Sequence, residues 1–278
     1  MTVVTLNDIL PQANKSGCAI LGAVCLGWED MRAHVSAAEQ LNSPIILQAG
    51  PGCRRHTPLA VLGPTLRYLA KQASVPVAIH LDHSKSLNEC AEAISHGFTS
   101  VMYDGSDLPL HKNIENSRQI IDICRKNGVS FEGEVGLVGY SGGATSQGSE
   151  PADVQQYAET TGADCVAISI GNVHLTTENY TPLNESLLSS IENLTDVPLV
   201  IHGGSGVSPR QRTHLSQHSN IAKFNIGTEI RQSFGSALHT HIKNMPQDFD
   251  RISILSSTEK QMLDTITAVI KQLNPNLK

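Results

Sequence analysis

Several features are scarce in this sequence, and each scarcity removes a class of protein. Tryptophan occurs once and aromatic residues make up 4% of the 278 positions, so any core must be aliphatic. Charged residues amount to 17%, and the 20 Lys and Arg form no stripe or run, so the phosphate-backbone contacts that nucleic-acid binding needs have no source. The six cysteines (Cys18, Cys25, Cys53, Cys90, Cys124, Cys165) contain no Cys-x-x-Cys pair and are too dispersed for a disulfide framework. Reduced thiols in a cytoplasmic protein are the expectation. The apolar run from Gly17 to Trp28 follows Lys15 and imitates a secretory leader, but it is too short to span a bilayer and lacks a convincing cleavage site. It reads better as a buried first strand, and no membrane association is expected.

What is present is alternation. Short apolar runs, each a strand candidate, are separated by amphipathic segments without a composition break: Cys18 to Cys25, Pro44 to Gln48, Val77 to Leu81, Thr99 to Tyr103, Val129 to Glu134, Cys165 to Ile170, Pro198 to Ile201 and Ala222 to Ile226. Helices are predicted over Glu29 to Leu41, Leu59 to Gln72, Leu87 to His96, Ile114 to Asn127, Val154 to Thr160 and Ser208 to Gln217. A further helix, Thr228 to Lys243, follows the last strand, then a polar linker through Gln247 to Asp250 and a terminal helix from Ser257 to Leu273. Repeated βα units closing on eight strands predict a (β/α)8 TIM barrel over residues 1–278, a single domain with an additional C-terminal helix.

Polar residues recur where the strands end, the face on which such barrels carry their chemistry. The third run ends His80-Leu81-Asp82-His83, the fourth Tyr103-Asp104-Gly105-Ser106, the fifth Glu132-Gly133-Glu134 and the sixth Gly171-Asn172-Val173-His174. The seventh ends His202-Gly203-Gly204-Ser205-Gly206 and the eighth Asn225-Ile226-Gly227-Thr228. Any one of the twelve histidines could be a cap or a surface residue. Three of them, His83, His174 and His202, fall on one rim with carboxylates between them, a donor set that suits zinc with one open coordination position. Side chains alternate along a strand, so Asp82 is placed facing the cavity, His83 on the turn beyond, and His80 one layer deeper as a packed residue. The glycine-rich turns after the seventh and eighth strands lead into helix starts, a common phosphate cradle in this fold. The longest patternless connection, Gly136 to Glu150, reads as an active-site loop.

The phrases AIHLDHS from Ala78, SVMYDGS from Ser100, EGEVG from Glu132, IHGGSG from Ile201 and NIGTEIR from Asn225 together resemble the class II ketose-bisphosphate aldolases over nearly the whole chain. Gly227 resembles the tagatose-bisphosphate branch, since the fructose-bisphosphate branch usually has Asp there. The resemblance implies one catalytic zinc on His83, His174 and His202, and Asp82 as the residue handling the hydroxyl proton at the cleaved bond. It implies that Asp104 and Glu134 touch a second or alternative site for a divalent or monovalent cation. Gly203, Gly204, Ser205, Asn225, Gly227 and Thr228 fall in the stretches that hold the phosphate of dihydroxyacetone phosphate, and Arg231 matches a position near the distal phosphate. A sugar-phosphate substrate and a homodimer or homotetramer follow as expectations.

This chain also departs from the family. Ala23-Val24 stands for Phe-Asn, Gly50 for Ser or Thr, and Leu175 for the glycine after the second histidine; a Lys commonly found a little later is absent. The Glu-Asp pair of the mobile loop is replaced by Gly142-Gly143. Either Glu150 or Glu132 replaces the missing base, or the protein is a weakly active or non-catalytic sugar-phosphate binder or aldolase subunit. A zinc hydrolase or isomerase on the same scaffold is a third reading. Arg54 and Arg55, past the second strand, are candidates to meet an anionic group on an unfamiliar aldehyde.

Overall fold

Eight parallel strands close into a cylinder in the computed structural model, which describes residues 2–140, 143, 145–175 and 180–277. After a two-residue strand β1 (Val3–Val4), the barrel runs through β2 (Ile20–Val24), β3 (Ile45–Ala49), β4 (Val77–Ser84), β5 (Ser100–Tyr103), β6 (Ser130–Val135), β7 (Cys165–Ile168), β8 (Leu199–Ile201) and β9 (Ile221–Ile226). Each strand pairs in parallel with the next, and β9 pairs with β2 to close the ring. β1 adds beside the start of β4.

The helices are α1 (Leu6–Lys15), α2 (Trp28–Gln40), α3 (Pro51–His56), α4 (Leu59–Gln72), α5 (Leu87–Ser95), α6 (Leu110–Asn127), α7 (Pro151–Thr161), α8 (Glu185–Glu192), α9 (Pro209–His218), α10 (Thr228–Asn244), α11 (Arg251–Ser256) and α12 (Glu259–Leu273). Their boundaries follow local chemistry. The side chains of Ser86, Asn184 and Ser208 cap α5, α8 and α9 by accepting from a backbone N–H three residues on. Gly128 and Gly162, both at φ +64°, end α6 and α7 in the left-handed conformation that glycine adopts without strain.

The eight strand predictions hold to within a few residues, whereas α1, α3, α8 and α11 are helices that the sequence pattern does not announce. α1 was hidden by Pro11 and by its position before the first strand; α3 and α11 span six residues each, too short to show a period. α1 is the plug of the barrel. Its Leu6, Ile9, Leu10 and Ala13 pack on Ile20, Ile46, Ala78, Met102, Cys165 and Val200, the lowest inward-facing layer. Outward-facing strand residues such as Leu47, Ile79, Phe131 and Phe224 pack in the larger core under the helices.

Above the apolar plug the interior turns polar. Gln48, His80, Glu132 and Lys223 are fully buried there, and Asp82, His202 and Asn225 lie nearer the mouth. Such a layer is tolerable only if its charges are paired, which dictates much of the site above it. The six cysteines are free and buried, and no helix among the described residues is long and apolar enough to cross a membrane. Truncating the plug at Leu10, 1% exposed, should leave a cavity beneath the polar layer. Leu10→Ala is expected to cost roughly 2–5 kcal/mol in chemical denaturation, with the barrel's circular dichroism retained.

Candidate active site

Asp82 and His83 are neighbours in sequence, and regular pleating would aim them to opposite faces. The register against β5 shifts between Leu81 and Ser84, and His83 takes φ +52°, so both side chains line the same cavity. The strand thus continues through His83, which the sequence reading had placed on the turn. A non-glycine residue in this conformation costs of the order of 1–3 kcal/mol and persists only where the surroundings impose it. Here the restraint is Arg54. Its Nη1 donates to the carbonyls of Ala49 (2.7 Å) and Asp82 (2.6 Å), its Nη2 to that of His83 (3.2 Å), and its Nε to Glu89 (2.7 Å). Arg54 is therefore a brace beneath the strand end rather than an anion receptor. Arg55, next to it, is exposed and lines the cavity mouth.

The cavity holds about 390 Å³, within the range of small-molecule sites, and gathers residues from seven strand ends and the loops that follow them. His83 and His174 line one wall and His202 lies behind it against His83, the three ring centroids 4.5–5.8 Å apart. His83 Nε2 lies 2.9 Å from His202 Nδ1, while His174 Nε2 is buried with no hydrogen-bond partner among the described residues. The remaining nitrogens of two rings are held by carboxylates. His83 Nδ1 is 3.0 Å from Asp104, and His202 Nε2 is 3.0 Å from Glu132, whose other oxygen takes the ammonium of Lys223. Each carboxylate makes its ring nitrogen the N–H donor and turns the opposite lone pair to the shared point, the orientation of a metal-binding histidine. His174 is steadied differently, by Tyr140 stacked on it at 4.7 Å and by its own backbone N–H on Gly139.

These positions refine the expectations for the carboxylates. Glu132, fully buried under His202 and tied to Lys223, does not line the cavity. Glu150 is exposed at the N-cap of α7 and is likewise not brought to the cavity. Asp104 and Glu134 do converge with His83, their donor atoms all within 4.8 Å of one another, a second cation-competent group sharing one ring with the first. Gly142 lies outside the described residues, while Gly143 is exposed on the loop. Leu175 holds φ +57°, which accounts physically for a glycine at the matching position elsewhere in the family.

On the other wall, Gly203, Ser205, Asn225, Gly227, Thr228 and Arg231 line the cavity at the start of α10. Gly203, at φ +63°, packs so close to the carbonyl of Val173 that a Cβ would sit 2.3 Å from it. Gly204 faces β9 instead of the cavity. Arg212, fully buried and unforeseen, donates to the carbonyl of Val207 and pairs with Glu229 of α10, fastening this turn to the helix. Its only sequence signal was an arginine on the weakly amphipathic α9. Tyr140 was also missed, although it is the one aromatic in the Gly136–Glu150 connection.

Burial pushes His83 toward neutrality, yet Asp82, Asp104 and Glu134 more than offset it and raise its pKa to about 9. Burial and the His83 charge lower His174 to about 4 and hold His202 well below the usual histidine range. Burial and the neighbouring Asp104 raise Glu134 to about 8. The pocket is thus arranged around one positive charge, a proton on His83 when nothing else supplies it. The convergent nitrogens, the orphaned His174 Nε2 and the orienting carboxylates fit zinc, which binds neutral imidazole.

Sequence and fold comparisons identify the family. The chain matches the class-II fructose-bisphosphate aldolase family over residues 4–278. It superposes on the crystal structure of the YdjI aldolase from Escherichia coli K12 with a TM-score of 0.87 and 27% identity, covering 98% of this chain and 97% of that one. It also superposes on the fructose-bisphosphate aldolase (Fba) from Campylobacter jejuni with a TM-score of 0.84, covering 98% and 95%; at 24% identity that likeness speaks for the fold alone.

Calorimetric zinc titration tests the electrostatics. At pH 7 the free protein carries the His83 proton and also one on Glu134, and an ion at the rings displaces the first and favours loss of the second, so binding should release between one and two protons, falling toward zero as the pH rises past 9. Removing the brace in Arg54→Met should weaken zinc binding roughly 10–100-fold in the same titration.

Proposed function

Because the chain belongs to the class-II fructose-bisphosphate aldolase family, we propose that it is a zinc-dependent lyase that reversibly splits a phosphorylated ketose into dihydroxyacetone phosphate and an aldehyde. The observation that carries this reading is the convergence of three imidazoles, two of them lining the cavity wall beside Asp82 and opposite a helix start. When bound at His83, His174 and His202, zinc supplies Lewis acidity toward the ketone oxygen.

The chain's own residues do the rest. Asp82 accepts the proton from the hydroxyl on the carbon that becomes the aldehyde, and its Oδ1 is positioned by the Asn225 amide at 3.3 Å. The carbon–carbon bond then breaks and its electron pair stays on the ketone half. Tyr140 delivers a proton to that carbon and regains one from solvent. Supporting this role, Tyr140 is half-exposed at the cavity, stacked on His174, and held in the phenol form by burial together with Asp82 and Asp104. It stands two residues before the position of the missing acidic pair.

Gly203, Ser205, Gly227 and Thr228 offer a phosphate cradle at the N-terminus of the 17-residue α10, where backbone N–H groups and the helix dipole favour an anion. Arg231 stands beside it, and a Cβ at Gly227 would lie 2.6 Å from its Nη1 and 3.0 Å from Val24 Cγ2. An Asp at 227 would have to displace that guanidinium, and the glycine there, as in the tagatose-bisphosphate branch, is what favours a tagatose-like over a fructose-like substrate. Arg55 at the mouth suits an anionic aldehyde half. The loss of acidic residues at 142–143 favours, as a second reading, a sugar-phosphate binder that does not turn over.

Zinc-loaded protein tested on a panel of ketose 1-phosphates and bisphosphates should release dihydroxyacetone phosphate well above an Asp82→Ala background; release no higher than that background selects the binder. Tyr140→Phe should slow exchange of the dihydroxyacetone phosphate α-proton with solvent by about 10²–10⁴-fold at unchanged zinc content. Exchange at the wild-type rate would remove Tyr140 from the mechanism.

A further inference from the structure

A second cluster of metal-type donors lies on the helix-facing side of β2, distinct from the three histidines. Cys25 follows the end of that strand, and Asp30 and His34 stand one turn apart on α2, the spacing that puts two side chains on one helix face. Cys25 and His34 are completely buried and Asp30 is 8% exposed. One ligand atom from each, a sulfur, a carboxylate oxygen and an imidazole nitrogen, lies within 4.8 Å of the other two.

An independent observation points the same way. His34 Nε2 is 3.1 Å from the carbonyl of Val24, which makes it the N–H donor. The other nitrogen, Nδ1, is buried with no hydrogen-bond partner among the described residues, so the ring keeps an unused lone pair in a dry environment, an arrangement native proteins rarely leave unexplained. That nitrogen is the donor the ring has free for an ion. The Asp30 carboxylate accepts from the backbone N–H of Leu26 (3.1 Å) and Gly27 (3.0 Å), which leaves lone pairs uncommitted. Asp30 also borders a separate cavity lined by Leu26, Glu29, Ile230, Arg231 and Phe234, which gives an ion a route to the cluster.

We propose that Cys25, Asp30 and His34 form a second metal site of zinc type, which ties the first turn of α2 to the end of β2. Mixed sulfur, nitrogen and oxygen donors suit zinc and exclude magnesium or calcium, which take oxygen ligands. Three protein donors leave one tetrahedral corner for water. On binding, the Cys25 thiol releases its proton to solvent and the sulfur coordinates as thiolate. The site shares no ligand with the histidine cluster, so the two readings stand or fall separately.

Cobalt distinguishes the two sites, because only a thiolate ligand gives a near-ultraviolet sulfur-to-cobalt charge-transfer band. The metal-stripped full chain reconstituted with Co2+ should hold two ions and show that band. Cys25→Ser should abolish the band and one ion, and His34→Gln should do the same without touching a thiol. His202→Ala should lose the other ion and keep the band. A wild-type protein with no charge-transfer band overturns the proposal without recourse to any variant, as does a band that survives both Cys25→Ser and His34→Gln. A single ion accompanied by the band would support this site and contradict the histidine site.

Discussion

A barrel mouth that buries Asp82, Asp104, Glu132 and Glu134 around three imidazoles must hold positive charge, and that requirement organises everything near it. An uncompensated buried carboxylate is expensive, so each is answered. Lys223 answers Glu132 from across the barrel. Lys85 and His83 answer Asp104. Glu134 Oε2 lies 3.5 Å from His83 Nδ1, and His174 Nε2, turned to the other rings, is left with no hydrogen-bond partner among the described residues. A dication there would take the His174 lone pair and favour the ionised form of Glu134, and without one the balance falls to protons on His83 and Glu134.

The second requirement is geometric, because strand alternation cannot deliver Asp82 and His83 to one cavity without a left-handed residue. Arg54 pins the carbonyls on either side of the distortion, and Asn172 holds the carbonyl of His202 at 3.0 Å in the same manner. Arg212 does comparable work for the turn that leads into α10. Side chains that never touch substrate therefore set the positions of those that would. Precision of this kind is what an aldol site needs, since the reacting hydroxyl, the ketone oxygen and the phosphate must be held at fixed separations.

Strand ends proved far more legible in the sequence than the contacts that support them. Period and turn residues located all eight barrel strands, and the rule that chemistry collects at strand ends brought out His83, His174, His202, Asp82 and Asn225, all of which line one cavity except His202, which lies behind it against His83. Pairing across the barrel was not legible. Lys223 and Glu132 are 91 residues apart, and nothing local marks them as partners. Arg54 and Arg55 are adjacent and chemically identical, yet one is committed to four carbonyl or carboxylate groups and the other projects to the mouth; helix α3, too short to show a period, decides which is which. Tyr140 escaped notice because a glycine-rich loop gives no periodicity from which to infer where its one ring points.

The metal is the element on which the functional account turns, and diffraction at the zinc absorption edge from crystals equilibrated with zinc tests it most directly. The account predicts an anomalous peak about 2.0–2.1 Å from His83 Nε2, His174 Nε2 and His202 Nδ1, with Asp104 and Glu132 still bonded to the far nitrogens of His83 and His202. Absence of a peak at that point, or a peak coordinated by Asp104 and Glu134 with His174 and His202 left free, would contradict it.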